Sequence, residues 1–125
     1  MHDPVFSRFA PAPVGPYSQA VRAGKTLYGA GQLGLDPATG RLAGDTAAQA
    51  GQALRNIEAV LAAAGASMRD VVRMTVYLVD LGEFAAVNAI YAGFFADNPP
   101  ARSTVQVAAL PLGGRVEMDF IAVLP

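Results

Sequence analysis

Two residues near the C-terminal end, Arg102 and Glu117, stand among apolar neighbours in the stretch PARSTVQVAALPLGGRVEMDFIAVLP from Pro100 to Pro125. A guanidinium can hold a carboxylate with two parallel hydrogen bonds, and a glutamate can move protons. The stretch reads as two strands joined by a Gly-containing loop. A period of two puts Arg102, Thr104 and Gln106 on one side of the first strand and Ser103, Val105 and Val107 on the other. In the second, Val116, Met118, Phe120 and Ala122 form the apolar side, opposite Arg115, Glu117 and Asp119. Arg102 and Glu117 are then expected to project from neighbouring strands into one pocket. From spacing alone, a solvated pair worth less than ~1 kcal/mol is the commoner outcome. Asn98-Pro99-Pro100-Ala101, a rigid entry that sets where the first strand begins, favours the functional alternative.

Composition narrows the chemistry. The 125 residues suit one domain, residues 1–125, with a real core. Hydrophobic residues make up 53% and charged ones 15%, an apolar balance that a subunit interface would absorb. There is no cysteine, and His2 is the only histidine, so a thiolate site, a Cys nucleophile, a His triad or a two-His metal site cannot be assembled within one chain. No metal or other cofactor is expected. A net charge of −1, with Lys25 the only lysine, offers no basic stripe for nucleic acid. No run of 18 apolar residues and no signal-peptide pattern is present, so no membrane association is expected and the chain reads as cytoplasmic.

The elements that must position these residues can be taken in chain order. A proline-rich arm from His2 to Pro16 carries at most one short strand at Val5 to Arg8, and the Gly15-Pro16 turn could aim Tyr17 at a cleft or merely at the edge of the core. Gly24-Lys25 closes a hairpin between Ala20–Ala23 and Thr26–Gly31. Glycines within that second strand imply close approach of another backbone or a ligand. Asp36-Pro37-Ala38-Thr39-Gly40 forms a turn. Thr46-Ala47-Ala48-Gln49 reads as a capping box, opening a helix whose stripe of Ala47, Ala50, Leu54, Ile57, Leu61 and Ala64 ends at Gly65. Asp70 to Asp80 is the strongest strand, and a second helix from Gly82 to Ala96 carries Phe84, Val87, Tyr91 and Phe94 on one face with Asn88 beside it. The order implies two βαβ-like crossovers, a mixed sheet with both helices on one face, and a homo-oligomer covering the other.

Several segments, in order, resemble the RidA/YjgF family of imine and enamine deaminases, whose older label is endoribonuclease L-PSP. They are Gly15-Pro16-Tyr17-Ser18-Gln19, Gly31-Gln32, Asp36 to Gly40, Gln49 to Asn56, Val76 to Leu81, Val87-Asn88-Ala89-Ile90-Tyr91 through Phe94-Phe95, Pro100 to Val105 and Val116-Glu117-Met118. The likeness covers nearly the whole chain. It implies a chorismate-mutase-like α+β subunit assembled as a homotrimer with pockets between subunits. By the same resemblance, Arg102 holds the carboxylate of a 2-imino acid and Glu117 positions or activates water. Tyr17 and Gly31 line the pocket, the neighbouring chain supplies Asn88, and Thr104 stands at a substrate-binding position, where threonine is tolerable if the backbone amide is what meets the carboxylate.

The chain departs from the family at Thr104, where cysteine is common, and at Ala30, where serine is frequent. The implied activity is hydrolysis of 2-iminopropanoate and 2-iminobutanoate to 2-keto acids and ammonia, a damage-control role. A non-enzymatic carboxylate-binding module and a pathway-specific deaminase of a larger imino acid stand as alternatives. RNA cleavage is disfavoured by the lack of a His pair and of a basic surface.

Overall fold

The periodicities resolve into six strands and two helices in the computed structural model, which describes residues 2–125. In chain order these are β1 (Asp3–Val5), β2 (Ala20–Ala23), β3 (Thr26–Leu33), α1 (Thr46–Ala63), β4 (Val71–Leu78), α2 (Phe84–Phe94), β5 (Ala101–Gln106) and β6 (Val116–Val123). The sheet order is β1-β2-β3-β6-β4-β5. β6 runs antiparallel to both β3 and β4, and β4 is parallel to β5. Hence α1 links two parallel strands with β6 inserted between them, while α2 links adjacent ones. Both crossovers inferred from the element order are present.

One correction bears on the site. Arg102 and Glu117 do not lie on neighbouring strands, because β4 separates β5 from β6. The loop between them spans a strand rather than closing a hairpin, since a parallel β4–β5 pair leaves the antiparallel slot beside β4 to β6.

Both helices pack on one face of the sheet in a single apolar cluster. Leu54, Ile57, Val60 and Leu61 of α1 and Val87 and Tyr91 of α2 meet Met74, Val76, Leu78, Val116, Met118 and Phe120. Glycine permits close packing, as at Gly29 and Gly34. A Cβ on Gly29 would collide with the Phe120 ring, and one on Gly34 would fall 2.5 Å from the backbone of Gln49 at the start of α1. A side chain, not a backbone or a ligand, therefore occupies the space over Gly29.

The start of α1 differs from the capping box read in the sequence. Asp45 is the cap, its carboxylate accepting from the Ala48 amide at 2.8 Å, and Thr46 is the first helical residue. Thr46 is buried instead against Glu83 and Arg115: its hydroxyl donates to Glu83 and accepts from Arg115 Nε at 2.7 Å. Arg115 also pairs with Glu83 at 3.0 Å, and its amide donates to Gln49 Oε1 at 2.9 Å. The Thr46 and Arg115 hydrogen bonds hold the Glu83 carboxyl below its ordinary range. This cluster ties α1, α2 and the entry to β6, and it removes Arg115 from the Glu117 side of that strand. Further along α1, Asn56, 1% exposed, donates to the Leu33 and Leu35 carbonyls at 3.1 and 2.8 Å and anchors the end of β3. Gly65, at φ 76°, ends the helix as the sequence predicts.

The N-terminal arm enters the sheet at β1 rather than at Val5 to Arg8, and Gln19 fastens the segment from Ser7 to Pro11. Its side chain is 2% exposed, accepts from the Ser7 amide at 2.6 Å and donates to the Ser7 and Pro11 carbonyls at 3.0 and 2.9 Å. Gln19→Ala should lower stability by about 1–3 kcal/mol, the cost of stranding buried backbone groups. Denaturant unfolding checks this, and a variant matching the parent would show that the arm is held by other contacts.

Candidate active site

Glu117 projects from β6 on the face of the sheet away from the helices. Its neighbours Val116 and Met118 point into the core, whereas Glu117 itself is half-buried opposite Tyr77 of β4. The strand β3 makes room for it. A register shift between Gly29 and Gln32 puts two residues of β3, Ala30 and Gly31, against one of β6, turning Gly31 toward Glu117. A Cβ at Gly31 would lie 2.8 Å from the Glu117 carboxyl carbon. Only glycine lets the carboxylate lie over this strand. Gly31→Ala should therefore displace Glu117 and cut any activity that depends on it by up to ~10²-fold, the penalty that misplacing a reacting group by about an ångström can carry. Parent-like kinetics would show that Glu117 need not occupy this position.

A cavity of about 430 Å³ opens above Glu117, lined also by Tyr17, Gly31, Val14, Leu33 and Leu112. Tyr17 is brought here by the Gly15-Pro16 turn, in which its amide donates to the Gly15 carbonyl at 2.9 Å. The Val14 amide donates to the Tyr17 hydroxyl at 3.4 Å. The proline-rich arm thus forms one wall, a placement the sequence left open. Leu112 forms another from the loop before β6. It holds a left-handed φ of 60°, followed by Gly113 at 74°, and is 64% exposed. Left-handed backbone at a non-glycine residue is a strained arrangement of the kind found at ligand sites. Pro111-Leu112-Gly113-Gly114 was its sequence signal, but the motif alone does not reveal which residue takes the strained φ.

Burial raises the pKa of Glu117 above its usual value, and the negative charge of Asp119, two residues along the same face, raises it further. Asp119 is itself engaged, accepting from the Tyr77 hydroxyl at 2.9 Å.

Arg102 lies elsewhere. It is paired with Met74 of β4, which is in turn paired with Phe120 of β6, and both are core residues, so Arg102 projects on the helix-bearing face. Its guanidinium carbon sits 4.7 Å from the centroid of the Tyr91 ring and 5.4 Å from that of Phe84, both on α2. Among the described residues no carboxylate pairs with it; the ion pair formed is that of Arg115 with Glu83. A second, more open cavity is lined by Arg102, Asn88, Tyr91, Phe95, Pro99 and Pro100. Thr104 follows Arg102 on the same side of β5 and is half-buried.

One chain therefore brings together Tyr17, Gly31 and Glu117 in one cavity, and Arg102 and Asn88 in another across the sheet. The aromatic partners of Arg102 were visible in the sequence only as part of an apolar helix stripe.

The chain is of the α+β class, with two helices on one face of a mixed sheet, and solved proteins share that architecture along their full length. RidA from the Antarctic bacterium Psychrobacter superposes with a TM-score of 0.95 at 47% identity, covering 98% of this chain and 99% of that one. Escherichia coli TdcF with bound serine superposes with a TM-score of 0.95 at 38% identity, covering 98% and 99%. The family model described as Endoribonuclease L-PSP matches residues 7–124. The chain belongs to this family, the RidA/YjgF family. Among curated relatives, the 2-iminobutanoate/2-iminopropanoate deaminase of Capra hircus is 53% identical over 115 residues, 91% of this chain and 84% of that protein. Protein DfrA of Myxococcus xanthus is 52% identical over 122 residues, 95% and 93%.

Proposed function

We infer that the protein is a deaminase that hydrolyses 2-imino acids such as 2-iminopropanoate and 2-iminobutanoate to 2-keto acids and ammonia. The observation that carries this reading is Arg102: a half-buried guanidinium held against aromatic rings with no carboxylate of the described residues to neutralise it. Such a group suits a substrate carboxylate, which it can grip bidentately in a partly dry cavity. Relatives named as imine deaminases support the reaction type.

Because Arg102 and Asn88 stand on one side of the sheet and Tyr17, Gly31 and Glu117 on the other, the site is completed between copies. Arg102 and Asn88 of one protomer face the Glu117 cavity of its neighbour, and the homotrimer implied by the family resemblance supplies that geometry. Arg102 holds the carboxylate and thereby orients C2. Glu117 takes a proton from water as the oxygen adds to C2 of the protonated imine and passes it to the nitrogen of the resulting carbinolamine. Glu117 then takes the hydroxyl proton as the C=O bond forms and the C–N bond breaks, and ammonia leaves and carries that proton away as ammonium. The electrophile is already in the substrate, so the step needs positioned water and proton transfer. The raised pKa of Glu117 keeps it nearer the range in which both transfers are efficient. Thr104 would contribute its backbone amide beside the carboxylate.

The test is release of keto acid and ammonia from freshly generated 2-iminobutanoate, with and without the protein. No acceleration would overturn the assignment. A second reading is a carboxylate-binding module without turnover, favoured by the serine bound to the related TdcF; measurable 2-oxobutanoate binding with no imine hydrolysis would select it.

A further inference from the structure

Most cations of this chain that face other groups are held by polar atoms: Arg115 by Glu83 and Thr46, Arg73 by the Ser103 hydroxyl, Arg55 by Gln52, Arg22 by the Gly24 carbonyl. Exposed Arg8 lies over the ring of its neighbour Phe9, 4.8 Å from the centroid, whereas Arg102 is half-buried and held by two rings of a separate element, α2. Its guanidinium carbon lies 4.7 Å from the Tyr91 centroid and 5.4 Å from the Phe84 centroid, within the distance at which a ring face attracts a cation. Phe84 and Tyr91 are seven positions apart, two turns of α2, and therefore lie on one side of the helix. The Asp80 carboxylate accepts from the Gly82 amide at 2.8 Å, and Tyr91 is anchored in the core beneath β5.

We propose that Phe84 and Tyr91 form an aromatic cradle that positions Arg102, fixing the plane of its fork while leaving its N–H donors for a substrate carboxylate. A carboxylate partner would fix the arginine equally well but would occupy the donors that the substrate needs. A ring face supplies attraction without accepting those hydrogen bonds at the guanidinium edge. The Tyr91 hydroxyl takes no part. It is buried without a hydrogen-bond partner among the described residues, in a side chain 6% exposed, so the ring and not the phenol group is what meets Arg102. Burial raises the Tyr91 pKa despite the opposing field of Arg102, so the ring stays neutral beneath the cation.

The inference rests on the carboxylate-holding role proposed for Arg102, and its test separates the two. The full-length parent, Phe84→Leu, Tyr91→Phe and Tyr91→Leu are compared for 2-iminobutanoate turnover and, by calorimetry, for 2-oxobutanoate binding. Phe84→Leu should raise KM and Kd by roughly 2- to 5-fold with kcat little changed, the range expected for losing a cation–π contact at a partly exposed site. Because Phe84 is 37% exposed, this variant should keep its fold even where Tyr91→Leu does not. Tyr91→Phe should match the parent in KM and be no less stable. Parent-like KM and Kd in Phe84→Leu, or a Tyr91→Phe variant that loses affinity, would overturn the cradle while leaving the deaminase reading intact. A parent that binds 2-oxobutanoate without turning over imine would overturn the deaminase reading; loss of that binding in Phe84→Leu would still support the cradle. A parent that neither binds nor turns over would overturn both.

Discussion

Arg102→Ala is expected to cut imine hydrolysis by roughly 30-fold or more while leaving the protein folded. Losing a desolvated, bidentate partner for a carboxylate costs about 2–5 kcal/mol, or roughly 30- to several-thousand-fold in kcat/KM. The fold loses only a stacking contact with Tyr91 and Phe84, worth about 0.5–1 kcal/mol at a partly exposed site. Arg102→Lys keeps the charge but not the planar fork and should fall between the two. Turnover and thermal melting measured on the same samples decide the matter. A folded Arg102→Ala protein hydrolysing imine at the parent rate would remove Arg102 from the site, and with it the reason for choosing carboxylate-bearing substrates.

The second large effect is at Glu117 and has opposite signs for activity and stability. Glu117→Gln keeps the shape but cannot exchange a proton, so kcat should fall by ~10²–10⁴-fold. The folded-state pKa of Glu117 is raised, first by burial and then by Asp119. The folded chain therefore binds this proton more readily than the unfolded chain. The resulting stability is fully present below the ordinary carboxylate range and is lost as pH rises through the raised value. Above it, the ionised carboxylate is a burden that glutamine does not carry. Glu117→Gln should accordingly melt at a higher temperature than the parent at neutral pH, with the difference shrinking to nothing in acid. A gap of reversed sign at neutral pH would mean that the Arg102 proposed to face Glu117 from a neighbouring copy outweighs burial and Asp119. Unchanged kcat would exclude proton transfer by this residue.

Most local structure was legible because it depends on near neighbours. The Gly24-Lys25 hairpin, the Asp36 to Gly40 turn, the stop at Gly65 and the alternation of Val116, Met118, Phe120 and Ala122 are all found where the residue types place them. The misreadings are of a different kind. Thr46 fits a cap by type, yet Asp45 lies one residue earlier, its carboxylate accepting from the Ala48 amide and its carbonyl from the Gln49 amide that Thr46 would have capped, which frees Thr46 for Glu83 and Arg115, distant in sequence. Gln19 and Asn56 are polar by type, and each is buried because it ties a segment that has no regular backbone partner, a contact that residue type alone does not announce.

By itself the sequence determined the residue types available for chemistry, the α+β order of elements and which residues of a regular strand share a face, since a period of two is a local property of the backbone. Strand order is not local. Whether β6 pairs beside β5 or beyond β4 depends on which antiparallel slot the packed helices leave open, and only the tertiary structure decided that β4 intervenes. That choice, with the opposite parity of Arg102 and Glu117 relative to the core, sends the guanidinium to the helix-bearing side and the carboxylate to the other. The pairing that residue types suggest within one chain thus becomes a division of the site, because side chains on opposite faces of a sheet cannot meet across it.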